Sequence, residues 1–577
     1  MSENSRQIKV VAALDFGTSR SGYAYAFKDD KRVIGRYEWD KQPFQYIKTL
    51  TQSLYNGDSQ LEAWGYAALH QLAQLRQSNN AKDYSFFPTL KMALRESKKL
   101  TKDDSPIVTA NNGQKFPVID LIADYLGELG GLLQSELKKA TSGELKDNEI
   151  LWCLTIPAIW KDKEKAFMRR AAIKAGLISN NASDQDRLLL VLEPEAAAIY
   201  CQERDQAQLE SKKRFMVVDC GGGTVDITSH QVSPQGGLDE IAEGTGGPYG
   251  STYVDQEFRK YLGRKLTAEA LTRYEEEDPI GWLELMANWE RKKCDFDPAT
   301  TTVSYFDIPN RLYKILLKDY PQVLEKLANE QNDDDEKVHL SKETIQKMFQ
   351  PVLDGLVQKV KEQFSRLDKH GCDIMYLVGG FSTSPLLRER IQQEFGNQVK
   401  IVMPSQPGAA IVEGAASFGL NPESIRSRRS RLTYGCQTCS VFDEVRDRHH
   451  KSKRTYYEEQ GDWYICNRFS VFVLAGESVD VNEIVTHSFY PMTADQKALG
   501  FNFYGTRKKN PRYIDEPDVE ELGEINVDIS STVGTRDRPI EVSMKFGKTE
   551  IEVTARDVKT GETYNTTLRF SSTYSIE

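Results

Sequence analysis

A chain of 577 residues is long enough for three or four domain-sized units. At 39% hydrophobic and 28% charged, with 39 Gly and 21 Pro, it excludes the disordered, collagen-like and low-complexity classes. Its 75 basic and 85 acidic residues leave a charge of −10, which repels phosphate backbones and argues against nucleic acid as a partner.

No apolar run approaches the roughly 18–20 residues that span a bilayer. The opening MSENSRQIKVVAALD carries no signal-peptide core. A soluble, cytoplasmic protein is therefore expected, with the nucleus left open.

In chain order, the first strand is predicted at VVAALDF (10–16), and the first long helix within PVIDLIADYLGELGGLLQSELKKA (117–140). There Ile122, Leu126, Leu129, Leu133 and Leu137 recur at steps of three and four, one apolar helical stripe. Strands follow at LWCLTIP (151–157), FMVVDC (215–220) and IMYLVGG (374–380), with helices over 166–175 and 348–364 between them. Strands alternating with helices predict an α/β architecture up to about residue 420.

Beyond about residue 430 the apolar period becomes two: Ile525, Val527 and Ile529; Ile540, Val542, Met544 and Phe546; Ile551, Val553 and Ala555. Turn signals at 545–548 and 559–562 separate these runs, so an antiparallel β unit is predicted. The polar, basic ESIRSRRSRL (423–432) reads as a connection, and NDDDEK (332–337) and RDRHHKSKR (446–454) as solvated loops. Of eight cysteines only Cys436 and Cys439 form a CxxC, expected as two free thiols on a strand, and no Cys/His metal centre is expected.

Chemistry concentrates in three glycine-centred elements. ALDFGTSRSGYAYAF holds Asp15, Gly17, Thr18 and Ser19, and FMVVDCGGGTVDIT holds Asp219, Gly221, Gly222, Gly223, Thr224 and Asp226. Glycine lets backbone N–H groups approach an anion, and a strand-end Asp can hold a hydrated divalent cation. Both turns lead into a further strand rather than a helix, unlike a Walker loop. Two such hairpins predict a duplicated fold that clamps one nucleotide from both sides. In the third element, Gly379-Gly380 ends a strand before a helix from about Ser382, and its bare backbone suits stacking on a purine.

The order DFGTS, LTIPAIWKDKEKAFMRRAAIKAGL, LEPEAAAIY, VVDCGGGTVDIT, LVGGFSTSPLL and GAAIVEGAA resembles the seventy-kilodalton heat-shock (DnaK-type) chaperones of the actin-like ATPase superfamily. IPAIW, LEPEAAAIYC and LVGGFSTSPLL are most similar to its divergent type-twelve branch. The resemblance implies a two-lobed ATPase of duplicated ribonuclease-H-like fold at 8–420, a linker at 421–432, and at 433–577 a β-rich domain similar to a substrate-binding domain without its helical lid.

It also implies the ligands ATP or ADP and Mg2+, with Asp15, Asp219 and Glu193 holding the magnesium largely through water. Thr18 and Ser19 would line the first phosphate hairpin and Gly221, Gly222, Gly223 and Thr224 the second. Lys91, in PTLKMALR, would polarise the γ-phosphate and the attacking water, with Asp226 beside the water path. Pro157 falls at a switch position, Gly250 on the phosphate side, and Glu290, Lys293, Gly379 and Gly380 around adenosine. Such a site needs positioning and charge neutralisation more than covalent chemistry.

The chain departs from the family pattern at Phe381, Thr383 and Cys294 on the adenine side, at Gly408 before the final helix, and at Arg20, expected to add positive charge near the phosphates. ESIRSRRSRL lacks the acidic, leucine-rich character with which the family's linker docks. The leading expectation is a slow ATPase whose nucleotide state governs the binding of protein or peptide clients through the β unit, with co-chaperones as further partners. The alternatives are a nucleotide-gated scaffold or signalling adaptor without refolding activity, and a small-molecule kinase of the same superfamily.

Overall fold

Strand β1 (Val10–Asp15) is buried at all six positions, the pattern of a central strand covered on both faces. A computed structural model gives the fold and describes residues 8–569, except 79, 89, 92–105, 111, 159, 161, 182–183, 185, 206–207 and 547–549. Strand β2 (Arg20–Phe27) returns antiparallel to β1, with Asp15 opposite Gly22. Helix α1 (Val118–Ala140) buries the whole predicted stripe, Ile122, Leu126, Leu129, Leu133 and Leu137. Strand β3 (Ile150–Ile156) lies parallel to β1. After helix α2 (Asp162–Lys174), strand β4 (Leu188–Leu192) lies parallel to β3 and runs straight into helix α3 (Glu193–Arg204).

The second lobe opens with the hairpin of β5 (Arg214–Cys220) and β6 (Val225–Val232), extended antiparallel by β7 (Leu238–Gly247). Helices α4 (Thr252–Leu266), α5 (Pro279–Asp295) and α6 (Lys342–Arg366) precede β8 (Ile374–Val378), which is parallel to β5. Helix α7 (Pro385–Phe395), strand β9 (Lys400–Val402) and helix α8 (Ala410–Leu420) complete it. The order β9-β8-β5-β6 repeats β4-β3-β1-β2 with the same strand directions, so the expected duplication is present in the topology. One apolar cluster, including Val11, Ala196, Val217, Tyr376 and Val412, joins the two lobes. Helices α3 and α8 cross so closely that a Cβ on Gly414 would collide with the carbonyl oxygen of Ala196.

The segment expected as a plain connection contains a strand. Strand β10 (Ile425–Arg429) adds parallel to β7 at the edge of the second lobe's sheet. So polar a sequence can sit there because its charges are paired. Arg428 donates to both carboxylate oxygens of Glu195 in α3, at 2.6 and 2.9 Å, and Arg431 pairs with Glu240 of β7; all four side chains are buried.

Beyond residue 432 the strands are β11 (Thr433–Val441), β12 (Arg454–Tyr457), β13 (Asp462–Val473), β14 (Ser478–Asp480), β15 (Glu483–Phe489), β16 (Ala498–Thr506), β17 (Glu520–Asp528), β18 (Ile540–Phe546), β19 (Glu550–Asp557) and β20 (Thr563–Arg569). They form a five-stranded sheet, β12-β13-β11-β16-β17, and a four-stranded sheet, β15-β18-β19-β20, while β14 pairs with β10. The period-two residues of β17, β18 and β19 enter one core with Tyr434, Phe501 and Phe503. The turn at 559–562 places Gly561 at φ 77°, a left-handed conformation that suits glycine; the turn at 545–548 falls partly outside the described residues.

Three local expectations change. Cys439 is not free: it bonds Cys466, which the neighbouring strand β13 brings alongside, while Cys436 stays a buried free thiol. The segment RDRHHKSKR forms a 3-10 turn at Arg448–Lys453, because Lys451 and Arg454 pair with Glu444 and Lys453 pairs with Asp515. Helix α7 begins at Pro385 rather than Ser382, after a 3-10 turn at Gly380–Thr383. No helix among the described residues is long and apolar enough to cross a membrane.

Candidate functional site

The two hairpin tips meet. A Cβ on Gly222 would force Ser19 Oγ to move and would lie 3.1 Å from Ser19 Cβ, so the second lobe's turn approaches the first closely. The first turn is braced by Thr51, whose N–H donates to the Ser19 carbonyl at 3.0 Å and whose hydroxyl donates to the Gly17 carbonyl at 2.9 Å. The Gly17 N–H donates to Ser21 Oγ. In the second turn Gly221 N–H donates to the Thr224 carbonyl at 3.0 Å. Gly250 packs against Gly222 and Gly223, and the next two residues cap that turn, Ser251 N–H on the Gly221 carbonyl and Thr252 N–H on the Gly222 carbonyl. Thr18, Ser19 and Thr224 are half-buried beside the junction.

Beneath the tips lies a buried charge cluster. Asp15 Oδ1 accepts from Thr155 Oγ1 at 2.8 Å, and its Oδ2 is 2.5 Å from Lys48 Nζ. Lys91 Nζ donates to Glu193 Oε1 at 2.7 Å and lies over the Trp160 ring; residues 92–95 of its motif lie outside the described residues. Asp219 and Asp226 stand opposite each other across the β5–β6 hairpin. Burial first, then the charges of Glu193 and Asp226, hold the Asp219 carboxyl well above its ordinary range. Burial likewise raises Glu193, against the pull of Lys91. Pro157 follows β3 two residues after Thr155, next to this cluster in sequence.

Two observations bear on magnesium. Asp219 Oδ1 is buried and accepts no hydrogen bond from the protein, and the donors offered are hard carboxylate oxygens. Among the described residues no three His, Cys, Asp or Glu side chains converge as direct metal ligands. The residues fit a cation that keeps most of its water shell, held by Asp15, Glu193 and Asp219.

The residues expected around adenosine are more withdrawn. Lys293 is buried in ion pairs with Asp255 at 2.7 Å and with Glu290, and Trp289 Nε1 also donates to Asp255. Burial pulls the Lys293 ammonium down, but the two carboxylates outweigh it and the net shift is upward. Gly379 has φ 82°, and a Cβ there would collide with Asp219 Oδ1, so its conformation and the close approach both require glycine. Gly380 opens the 3-10 turn; Phe381 is buried in the second lobe's core, its ring centroid 6.2 Å from that of Phe349. Thr383 is exposed and donates to the Gly380 carbonyl. Cys294 is exposed beside Glu290. Tyr46 occupies the space a side chain on Gly408 would need. Arg20 sits among Phe44, Tyr46 and Tyr66, its guanidinium carbon 5.5–5.9 Å from the three ring centroids.

The motif pattern did not single out Lys48, Thr155 or Asp255. The one signal for Lys48 is a lone charge in the run Tyr46-Ile47-Lys48-Thr49-Leu50; nothing local marks the other two.

Comparison with known proteins agrees with this geometry. The Hsp70 protein family matches residues 98–420. The chain is 31% identical to heat shock 70 kDa protein 12A of Homo sapiens over 97% of this chain and 91% of that protein. It is 29% identical to heat shock 70 kDa protein 12B of Homo sapiens over 98% and 91%. A chaperone protein HscA homolog of Rickettsia rickettsii is 22% identical over 71% of this chain and 56% of that protein. A family match over more than half the chain, with identity running nearly end to end, means that the chain belongs to the Hsp70 family, where it matches the divergent type-12 branch.

Proposed function

We propose that this protein binds ATP or ADP with magnesium between its hairpins, hydrolyses ATP slowly, and couples nucleotide state to the binding of proteins or peptides. The division behind this reading is an ATPase unit at 8–420, a linker at 421–432 and a binding unit at 433–577. Membership of an ATP-binding family supports it. The observation that carries it is the tip-to-tip approach of Gly222 and Ser19 above Asp15, Asp219 and Lys91.

The amides at 18–19 and 222–224 cradle phosphates, since the neighbouring glycines leave them unshielded. Lys91, steadied by Glu193 and Trp160, presents a point charge suited to a terminal phosphoryl group. Asp226 lies beside the attacking water, and Asp15, Glu193 and Asp219 hold the water shell of the cation. Magnesium, when bound, supplies charge neutralisation at the phosphates. On the adenosine side Gly379 and Gly380 offer bare backbone, and Glu290 and Lys293 the charged edge, while Arg20 adds positive charge towards the phosphates. Protein clients, and any co-chaperones, would act in the cytoplasm through the β unit.

Single-turnover hydrolysis, with and without unfolded peptide, tests the reading on the wild type and Lys91→Ala. Peptide-stimulated turnover that falls ~100-fold in the variant is expected. Tight nucleotide binding without turnover would instead favour a nucleotide-gated scaffold. The buried Arg428–Glu195 and Arg431–Glu240 pairs speak for that second reading, because they fasten the linker by charge rather than by a readily released apolar contact.

A further inference from the structure

Lys48 is a buried cation in the nucleotide site that the proposed hydrolysis does not use. It is 8% exposed, and its Nζ lies 2.5 Å from Asp15 Oδ2. Its route to β1 is built into the backbone. Thr49–Leu50 pairs with β2 through Ser21 opposite Thr49 and Arg20 opposite Leu50. The lysine then crosses β2 at Gly22, where a Cβ would lie 3.1 Å from Lys48 Cγ and would collide with the Ile47 carbonyl oxygen. A side chain at Gly22 would obstruct that path.

Burial pulls the ammonium down, but Asp15, then Tyr46 and Asp219, outweigh it and raise it overall. The same positive charge bears on Asp219 and Glu193. Lys48 therefore sits in direct contact with Asp15, one of the three carboxylates assigned to the magnesium shell. Without a cation these carboxylates would repel a polyphosphate; an ammonium fixed among them cancels part of that repulsion permanently.

We propose that Lys48 is a resident counter-cation of the nucleotide site, taking over part of the divalent charge so that this chain holds ADP with little dependence on magnesium. The proposal rests on the nucleotide reading above. The test is calorimetric titration of ADP into the full chain, in excess magnesium and in EDTA, for the wild type, Lys48→Met and Lys48→Arg. The wild type is expected to lose less than about tenfold in affinity when magnesium is removed, and Lys48→Met more than about 100-fold. Lys48→Arg, which keeps the charge, should follow the wild type.

Wild-type binding that vanishes in EDTA would overturn this proposal alone and leave the nucleotide reading standing. That arm needs no variant, so a folding defect in Lys48→Met would not shield the proposal. Lys48→Met that stays folded and as magnesium-independent as the wild type would also overturn it. No ADP binding by the wild type even in magnesium would overturn the nucleotide reading and this proposal together.

Discussion

Asp15 at the end of β1 has one oxygen on Thr155 and the other on Lys48, whereas Asp219, its counterpart in β5, buries an Oδ1 that accepts no hydrogen bond from the protein. The backbones around them are copies, strand for strand. The first lobe thus neutralises its own carboxylate, and the second leaves one available to a ligand. The second lobe also differs at its sheet edge, where β7, β10 and β14 extend the four-strand repeat into the linker and the β unit. Duplication preserved the scaffold, and single side chains set the chemistry of each half.

Exchanging the two carboxylates for amides probes this difference most strongly. Asp15→Asn leaves Lys48 without its charge partner and should cost about 3–5 kcal/mol of folding stability, read by denaturant unfolding. A loss below about 1 kcal/mol would mean that the pair is not needed by the fold. Next in size is the edge that only the second lobe has. Arg428→Ala leaves Glu195 buried without its partner, at about 3 kcal/mol, and should open residues 423–432 to limited proteolysis. Unchanged cleavage would show that β10 stays docked without this anchor.

Asp219→Asn should behave unlike Asp15→Asn. It removes a carboxyl already strained by burial, Glu193 and Asp226, so stability at neutral pH holds or rises. Affinity for magnesium–ADP should fall about threefold, or ~0.7 kcal/mol, within the loss expected of the wild type in EDTA. Unchanged affinity would refute its place in the cation shell.

The smallest effect concerns His230, buried in β6 opposite Glu240 of β7. Burial, with Arg431 adding to it, holds the imidazole below its ordinary 6.5, against the opposing pull of Glu240, Glu195 and Asp239. The unfolded chain therefore takes up this proton at higher pH than the folded one. The stability contribution is complete above pH 6.5 and declines as the pH falls, by at most about 1.4 kcal/mol per pH unit. His230→Gln should flatten that decline; superimposable stability–pH curves would contradict it.

What the sequence made legible was local. The stripe of α1, the two hairpins and the period of β17, β18 and β19 are written in short spacings, and the structure has all of them. What it hid is held by partners far along the chain. Thr155 meets Asp15 across 140 residues and Arg428 meets Glu195 across 233, so no local pattern could announce either. ESIRSRRSRL reads as a solvated connection because its charges look unpaired until β7 and α3 are in place. The Cys439–Cys466 bond escaped for the same reason, since the chain must loop back through β13 before the sulfurs meet. Phe381, a departure from the family pattern on the adenine side, packs against Phe349 in the second lobe's core, a contact its motif does not announce.

Clamping of one nucleotide depends on the junction of the two hairpins, and Gly222→Val tests it directly. The branched side chain would push the second tip away from Ser19. Calorimetric titration of ADP in magnesium should give one site in the wild type and at least ~100-fold weaker binding in the variant, with an unchanged unfolding midpoint. Equal affinity in a folded variant would contradict the claim that one nucleotide is clamped between the two lobes.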